Sequence, residues 1–193
     1  MRIDKVCIGL TGYPGAGKTL LASEALRRGI PVLNMGDVLR EEALRRGLPP
    51  SRENMAMLMW KLRVEEGPLA IAKRILDKIG SIEQSLIVID GLRTFDEMSF
   101  FRERFKKFIL VVVVASREER FKRLSKRGRS DDPKSIKDLE DRDRAEEALG
   151  LTELLKNGDK VVVNEGPPEK ALEEFEQILK DAVRLDCWDN VFL

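Results

Sequence analysis

The sequence predicts a three-layer α/β fold: a five-stranded parallel sheet with helices on both faces. Three observations carry that prediction. Short β-branched apolar runs recur along the 193 residues, stretches of helical period separate them, and no internal repeat or low-complexity linker breaks the alternation. Strands buried on both faces read as continuous apolar runs, and parallel neighbours need a crossover between them. The length suits one domain over residues 1–193 with a sizeable core.

The first strand is expected over residues 5–10, where Val6-Cys7-Ile8-Gly9-Leu10 is apolar throughout. Gly12-Tyr13-Pro14-Gly15-Ala16-Gly17-Lys18-Thr19 then completes a G-x-x-x-x-G-K-[ST] loop, and Leu20-Leu21-Ala22 continues into a helix over 18–28. Strand, loop and helix in that order are the context of the P-loop NTPase fold. Glycines let the backbone wrap its N–H groups around phosphates at the mouth of a helix. Lys18 brings a mobile positive charge to the β- and γ-phosphates, and the Thr19 hydroxyl is a ligand for Mg²⁺. A bare Gly/Pro turn would start a helix too, but it would not need all eight positions. The loop predicts a bound nucleoside triphosphate.

The second strand, 31–34, leads into Asn34-Met35-Gly36-Asp37-Val38-Leu39-Arg40, with Asp37 placed to cap a helix over 37–46. In an open parallel sheet, ligands bind beyond the carboxyl ends of the strands, where this turn sits. Arg40, one turn in, can reach back to a bound phosphate; a solvated arginine at an ordinary joint is the plainer reading. Helices over 52–66 and 68–79 follow without a strand between them, so about 37–79 reads as an inserted acceptor-binding lobe. Met55, Leu58, Met59 and Leu62 form a core stripe. Met57, Trp60 and Val64 form a second apolar flank, which predicts a helix buried on two sides, with Trp60 in lobe packing rather than stacked on a base.

The third strand, 86–90, ends in a carboxylate. Asp90 closing a buried apolar run is costly without a partner, and Mg²⁺-bound water supplies one. Gly91 permits a tight turn and brings Arg93 to the same edge. A helix over 94–104 and a strand over 108–115 come next. In the helix over 117–127, Arg120, Arg123 and Arg127 share one face, which suits a triphosphate entering from the loop side. The short polar stretch that follows reads as a lid at about 128–133. In the helix over 134–149, Arg142 shares a sector with Leu139 and Leu149. It either pairs with Asp143 or reaches the transferring phosphoryl group, and the site context favours the second. A strand over 160–164 and a helix over 168–184 complete the order. The last residues, from Cys187 to Leu193, pack on the body or on a second subunit.

Composition narrows the partners. Lys and Arg total 35 against 34 for Asp and Glu. That balance gives no bulk basicity for nucleic acid, so a small-molecule acceptor is expected. No apolar run is long enough for a membrane span. A strand that starts at once leaves no room for a signal peptide, and two cysteines without metal-ligand spacing point to a reducing cytoplasm. The chain has no histidine. His-based nucleophilic triads are excluded, while phosphoryl transfer, which depends on positioning and electrostatics, loses nothing.

With these motifs in place, the chain resembles the nucleoside monophosphate kinases, adenylate kinase above all. Met-Gly-Asp-Val-Leu-Arg at 35–40 is similar to that family's Thr-Gly-Asp-Met-Leu-Arg. Asp-Gly-Leu-Arg-Thr at 90–94 is similar to its Asp-Gly-Phe-Pro-Arg-Thr, one residue shorter. The resemblance implies Asp37 within an acceptor motif and Arg40 with Arg93 as the clamp on the acceptor phosphate. It puts Glu97 where adenylate kinases carry the Gln that reads adenine. It further implies that Arg123 and Arg127 neutralise charge in transfer, a role the site context extends to Arg142, and that Asn164 lies by the donor base; ATP and Mg²⁺ are the expected cofactors, with Thr19 and Asp90 as the expected Mg²⁺ ligands. Over its full length the chain also resembles an archaeal family of adenylate-kinase-related P-loop proteins. The expected activity is γ-phosphoryl transfer to a nucleoside monophosphate. A dephospho-CoA kinase-like activity and a nucleotide-driven assembly ATPase are the alternatives, and the oligomeric state is left open.

Overall fold

Three of the five strands, β1, β3 and β4, divide their side chains between two cores, and that division fixes the layers. The computed structural model describes residues 2–128 and 132–189. In chain order the elements are β1 (Ile3–Thr11), α1 (Lys18–Arg27), β2 (Val32–Asn34), α2 (Met35–Arg45), α3 (Arg52–Glu66), α4 (Ala70–Ile79), β3 (Leu86–Asp90), α5 (Phe95–Arg104), β4 (Phe105–Val114), α6 (Arg117–Arg127), α7 (Ile136–Ala148), α8 (Leu151–Lys156), β5 (Lys160–Val163) and α9 (Pro168–Asp189). The strands lie in the order β2-β3-β1-β4-β5 and every pair is parallel. Cys7 of β1, Ile87 and Ile89 of β3, and Phe108 and Leu110 of β4 face one core, with α2 to α5 and α8. Val6, Ile8 and Leu10, Leu86 and Val88, and Val111 and Val113 face the other, with α1 and α9. Alternate residues thus serve opposite layers, as a period of two requires.

The order reverses at β1: the chain builds β2 and β3 on one side of it and β4 and β5 on the other. A crevice forms at such a switch point beyond the strand ends, and the loop that leaves β1 lies there. Leu10 pairs with Asp90, and Asn34 pairs with Asp90 from the other side, so the ends of β1, β2 and β3 come level.

Several expectations change. The cap of α2 is Asn34, not Asp37: its side-chain carbonyl accepts from the Gly36 and Asp37 amides, and the helix starts two residues earlier than expected. Asn34 has the extended backbone of a cap, while Asp37 already sits in the first turn. Strand β4 begins at Phe105, directly after α5, because the Phe101, Phe105 and Phe108 rings pack together. Helix α8, six residues after Gly150, was not expected at all; Leu151 and Leu154 anchor it in the core. In α3, Leu58 and Leu62 are fully buried, and Met55 and Met59 pack against the same core. The second flank is not buried: Met57, Trp60 and Val64 are 48%, 52% and 81% exposed. Helices α2 and α4 cover one side of α3 and leave the other to solvent. The proposed lid at 128–133 has residues 129–131 outside the described residues, and the expected C-terminal packing of residues 187–193 rests on side chains outside them as well. No helix among the described residues is long and apolar enough to cross a membrane.

Candidate functional site

The loop between β1 and α1 takes its shape from three glycines at positive φ: Gly12 at 144°, Gly15 at 82° and Gly17 at 111°. None of these three positions has room for a side chain either. A Cβ at Gly12 would collide with the Val113 carbonyl, and one at Gly17 with the Asn164 amide. Gly17 caps α1 without a side-chain hydrogen bond, so no cap side chain competes for the N–H groups at the start of the helix. Lys18 Nζ folds back and donates to the Gly12 and Tyr13 carbonyls at 2.6 and 3.1 Å. Burial lowers its pKa to about 8, against the opposing pull of Asp90 and Glu146.

Asp90 stands beside this loop at the end of β3, 3% exposed. Its Oδ2 accepts from Asn34 Nδ2 at 2.7 Å, whereas its Oδ1 is buried with no hydrogen-bond partner. Burial raises its pKa, and Lys18, Arg93 and Asn34 offset part of that rise. The turn after it is tied to β1: Gly91 and Leu92 amides donate to Leu10, and Thr11 Oγ1 donates to Leu92. An unpartnered carboxylate oxygen and the Thr19 hydroxyl on the same cleft are the hard oxygen donors that Mg²⁺ takes, usually with water and phosphate completing the shell. Among the described residues no group of three acidic, Cys or His side chains could hold a metal alone. Such an ion would therefore arrive with phosphates.

The cleft has a volume of about 280 Å³, and its wall brings together Gly12, Pro14, Gly15, Gly17, Lys18, Thr19, Arg40, Asp90, Arg93, Arg123, Arg127 and Arg142. Six of the seven cations singled out in the sequence meet there, and Arg120 does not. Arg123 donates to the Ala16 and Asn164 carbonyls at 3.3 and 2.9 Å, so α6 is held against the loop. Arg127 pairs with Asp132, and Arg142 lies 3.9 Å from the same carboxylate. Arg40 pairs with Asp37, and Arg93 Nε donates to Glu146 at 2.9 Å. Arg40 and Arg93 thus have acidic partners, which no acidic run in sequence announces.

Other residues support the site from outside its wall. Asn164 is 3% exposed and donates to Ala16 at 2.8 Å, bracing the loop from behind. Ala16 is itself buried. Tyr13 donates to Glu147 at 2.8 Å, and its ring lies beneath the Arg120 guanidinium, 5.0 Å away. Arg120 is buried with Asp143, forming two hydrogen bonds of 2.9 and 2.6 Å, and it also donates to Pro14. Asp143 is therefore not the partner of Arg142, and Arg120 is neither solvated nor on the cleft wall. Glu97 is fully buried and off the wall as well. Its carboxylate accepts from the Arg93 and Thr94 amides, capping α5, and from Arg63 at 2.7 Å. Asp37 is exposed and does not line the wall.

Two wall residues escaped the sequence reading: Asn34 and Glu146. Asn34 had a detectable signal, a cap-type residue directly before a helix. Glu146 had none, since its partner is 53 positions away.

A protein family described as "AAA domain" matches residues 11–140, a span holding the loop, Arg40, Asp90, Arg93, Arg123 and Arg127. The chain is 41% identical over 172 residues to a UPF0200 protein of Hyperthermus butylicus, covering 89% of this chain and 90% of that one. It is 42% identical over 182 residues to a UPF0200/UPF0201 protein of Archaeoglobus fulgidus; that match takes in 93% of this chain but spans only 56% of its relative's length. Among solved structures, TT1252 from Thermus thermophilus superposes with a TM-score of 0.67 at 22% identity, over 93% of this chain and 98% of that one. Shikimate kinase from Bacteroides thetaiotaomicron does so with 0.58 at 17%, over 91% and 97%. These likenesses carry the fold. Family match and sequence identity together place the chain: it belongs to the AAA domain family and, with its archaeal relatives, to the UPF0200 proteins.

Proposed function

We propose that this protein is an ATP- and Mg²⁺-dependent phosphotransferase whose acceptor is a small phosphorylated molecule, a nucleoside monophosphate. One observation carries the reading: Arg40 and Arg93 line the same cleft as the phosphate loop. Arg40 lies in α2, which follows β2, and Arg93 in the turn after β3, whereas Arg123 and Arg127 come from α6 and Arg142 from α7. A triphosphate on the loop takes up one set, and a second phosphate accounts for the other.

In this reading the loop amides and Lys18 hold the β- and γ-phosphates. Asp90 and Thr19 would hold Mg²⁺, which when bound would offset the charge of the phosphate oxygens. An acceptor phosphate oxygen, held by Arg40 and Arg93, forms a bond to the γ-phosphorus as the bond to the β,γ-bridging oxygen breaks. ADP leaves with that electron pair. Arg123, Arg127 and Arg142 offset the charge that spreads over the transferring group, so that positioning and electrostatics supply the catalysis. The helices α2, α3 and α4 act as the acceptor lobe.

The test compares acceptor-dependent ADP formation with acceptor-free hydrolysis. Across a panel of nucleoside monophosphates, at least one should stimulate ADP formation severalfold. Arg93→Ala should cut that stimulated rate by about 10²-fold or more, because a misplaced acceptor forfeits proximity, and should leave ATP binding nearly intact. If no monophosphate stimulates the wild type and both rates respond equally to the mutation, the protein is a nucleotide-driven ATPase instead.

A further inference from the structure

The carboxylate of Glu146 lines a cleft that also presents six cationic side chains, and it sits on the arginine that the proposed function gives to the acceptor phosphate. Its side chain is 13% exposed and accepts from Arg93 Nε at 2.9 Å. Lys18 and Arg142 also act on it electrostatically. Together with Arg93 these cations hold its pKa below the usual carboxylate value despite the burial, so the group is ionised at neutral pH. Glu146 and Asp90 are the acidic residues on the cleft wall. Asp90 has a second partner in Asn34 and a free oxygen for an ion, whereas Glu146 has neither role.

We propose that Glu146 determines which acceptor this site accepts: it is a resident anion that holds Arg93 until a phosphate dianion displaces it. The inference rests on Arg93 being the acceptor arginine. An incoming dianion replaces one ionic partner of Arg93 with a better one and moves the carboxylate aside. Water or a neutral hydroxyl offers the guanidinium nothing comparable, so with those nucleophiles Arg93 stays bound to Glu146 and cannot orient them. Glu146 thereby suppresses transfer to water and biases the site toward phosphorylated acceptors. A residue that merely braced Arg93 would have the opposite effect on anion affinity, and the sign of the change separates the two roles.

Calorimetric titration with inorganic phosphate, with saturating ADP present to occupy the phosphate loop, on the wild type, Glu146→Gln, Glu146→Asp and Arg93→Ala, reads this directly and without turnover. Glu146→Gln keeps the shape and removes the charge; it should bind phosphate on the order of tenfold more tightly, with the gain shrinking as ionic strength rises. Its acceptor-free ATP hydrolysis should rise severalfold. Glu146→Asp keeps the charge and should leave phosphate affinity near the wild-type value. Arg93→Ala should lose most of that affinity. Equal or weaker phosphate binding in Glu146→Gln, with Arg93→Ala impaired, overturns the role of Glu146 and leaves the acceptor site standing. Wild-type phosphate binding in Arg93→Ala removes the acceptor site itself, and the inference falls with it.

Discussion

Lys18 shows how a single buried charge ties binding to pH. Its pKa is about 8, because burial takes the ammonium away from water and the loop carbonyls only partly replace it. A bound triphosphate surrounds the same nitrogen with anionic oxygens and raises that value. Lys18 is mostly charged at pH 7 and only about one-tenth charged at pH 9, so nucleotide affinity should fall as pH rises through 8. Binding at pH 8.5–9 should take up close to one proton, and binding at pH 7 almost none. Calorimetry in buffers of different ionisation enthalpy counts that proton; equal uptake at both pH values would refute the assignment. The linkage with folding has its own sign. A lysine that titrates lower in the native state than in the unfolded chain makes the native state bind fewer protons between about pH 8 and 10.5, so this group adds stability as pH rises through that window. Lys18→Ala should accordingly fold as well as the wild type while losing transfer, by roughly 2–5 kcal/mol of phosphate contact and more in the transition state. Lys18 itself was legible because its motif is local: eight consecutive residues with an obligatory backbone shape. Glu146 was not, because a pair formed by residues 93 and 146 exists only once α7 packs across the strand ends.

At the scale of elements, α6 and α7 are joined by the buried pair of Arg120 and Asp143, whose side chains are 6% and 8% exposed. The pair also reaches the phosphate loop through Pro14 and the Tyr13 ring, so it sets where α6 presents Arg123 and Arg127. Breaking it leaves a buried charge without a counter-ion. Asp143→Ala should destabilise the protein by about 3–5 kcal/mol, whereas Arg120→Met with Asp143→Leu should recover most of that loss, since a packed apolar pair avoids the desolvation penalty. Chemical denaturation of both variants measures the difference, and a double mutant as unstable as Asp143→Ala would contradict it. The double variant should still bind nucleotide less well, because the loop loses its contacts to Arg120. Helical periodicity put Arg120 on a face with Arg123 and Arg127 but could not say that a turn of α7 lay over it. The same limit explains α3. Its two apolar stripes were visible in sequence, yet only the arrangement of α2 and α4 decided that Leu58 and Leu62 are covered and that Trp60 and Val64 are not. Helix α8 was missed for a different reason: six residues make too few turns to display a period.

For the whole molecule, the site and the core are one construction. The loop leaves the central strand, its glycines lie against Val113 of β4 and Asn164 after β5, and α1 buries Leu21 and Ala25 in the second core. This is why the fold class was readable from the chain. Parallel strands buried on both faces must be continuously apolar, and the stretches 6–10 of β1, 86–89 of β3 and 108–114 of β4 are. The sheet order was not readable, because which strand neighbours β1 is decided by crossovers rather than by strand sequences. It follows that a ligand on the loop acts on global unfolding, not on a local segment, since the loop cannot keep its shape without β1, β4 and β5. Nucleotide present at 100 times its dissociation constant should add about 2.7 kcal/mol. For a chain of this length each kcal/mol raises the melting temperature by roughly 2–4 °C, which gives a rise of roughly 5–10 °C. Chelating Mg²⁺ should reduce the rise, because Asp90 and the phosphates then face one another without the ion between them. Gly17→Ala should abolish it: the new Cβ meets the Asn164 amide and the backbone stands at a φ of 111°. Differential scanning calorimetry with and without nucleotide and chelator tests all three statements. Two separate transitions, of which only one responded to nucleotide, would mean that the loop and the core unfold independently and that this account of the molecule is wrong.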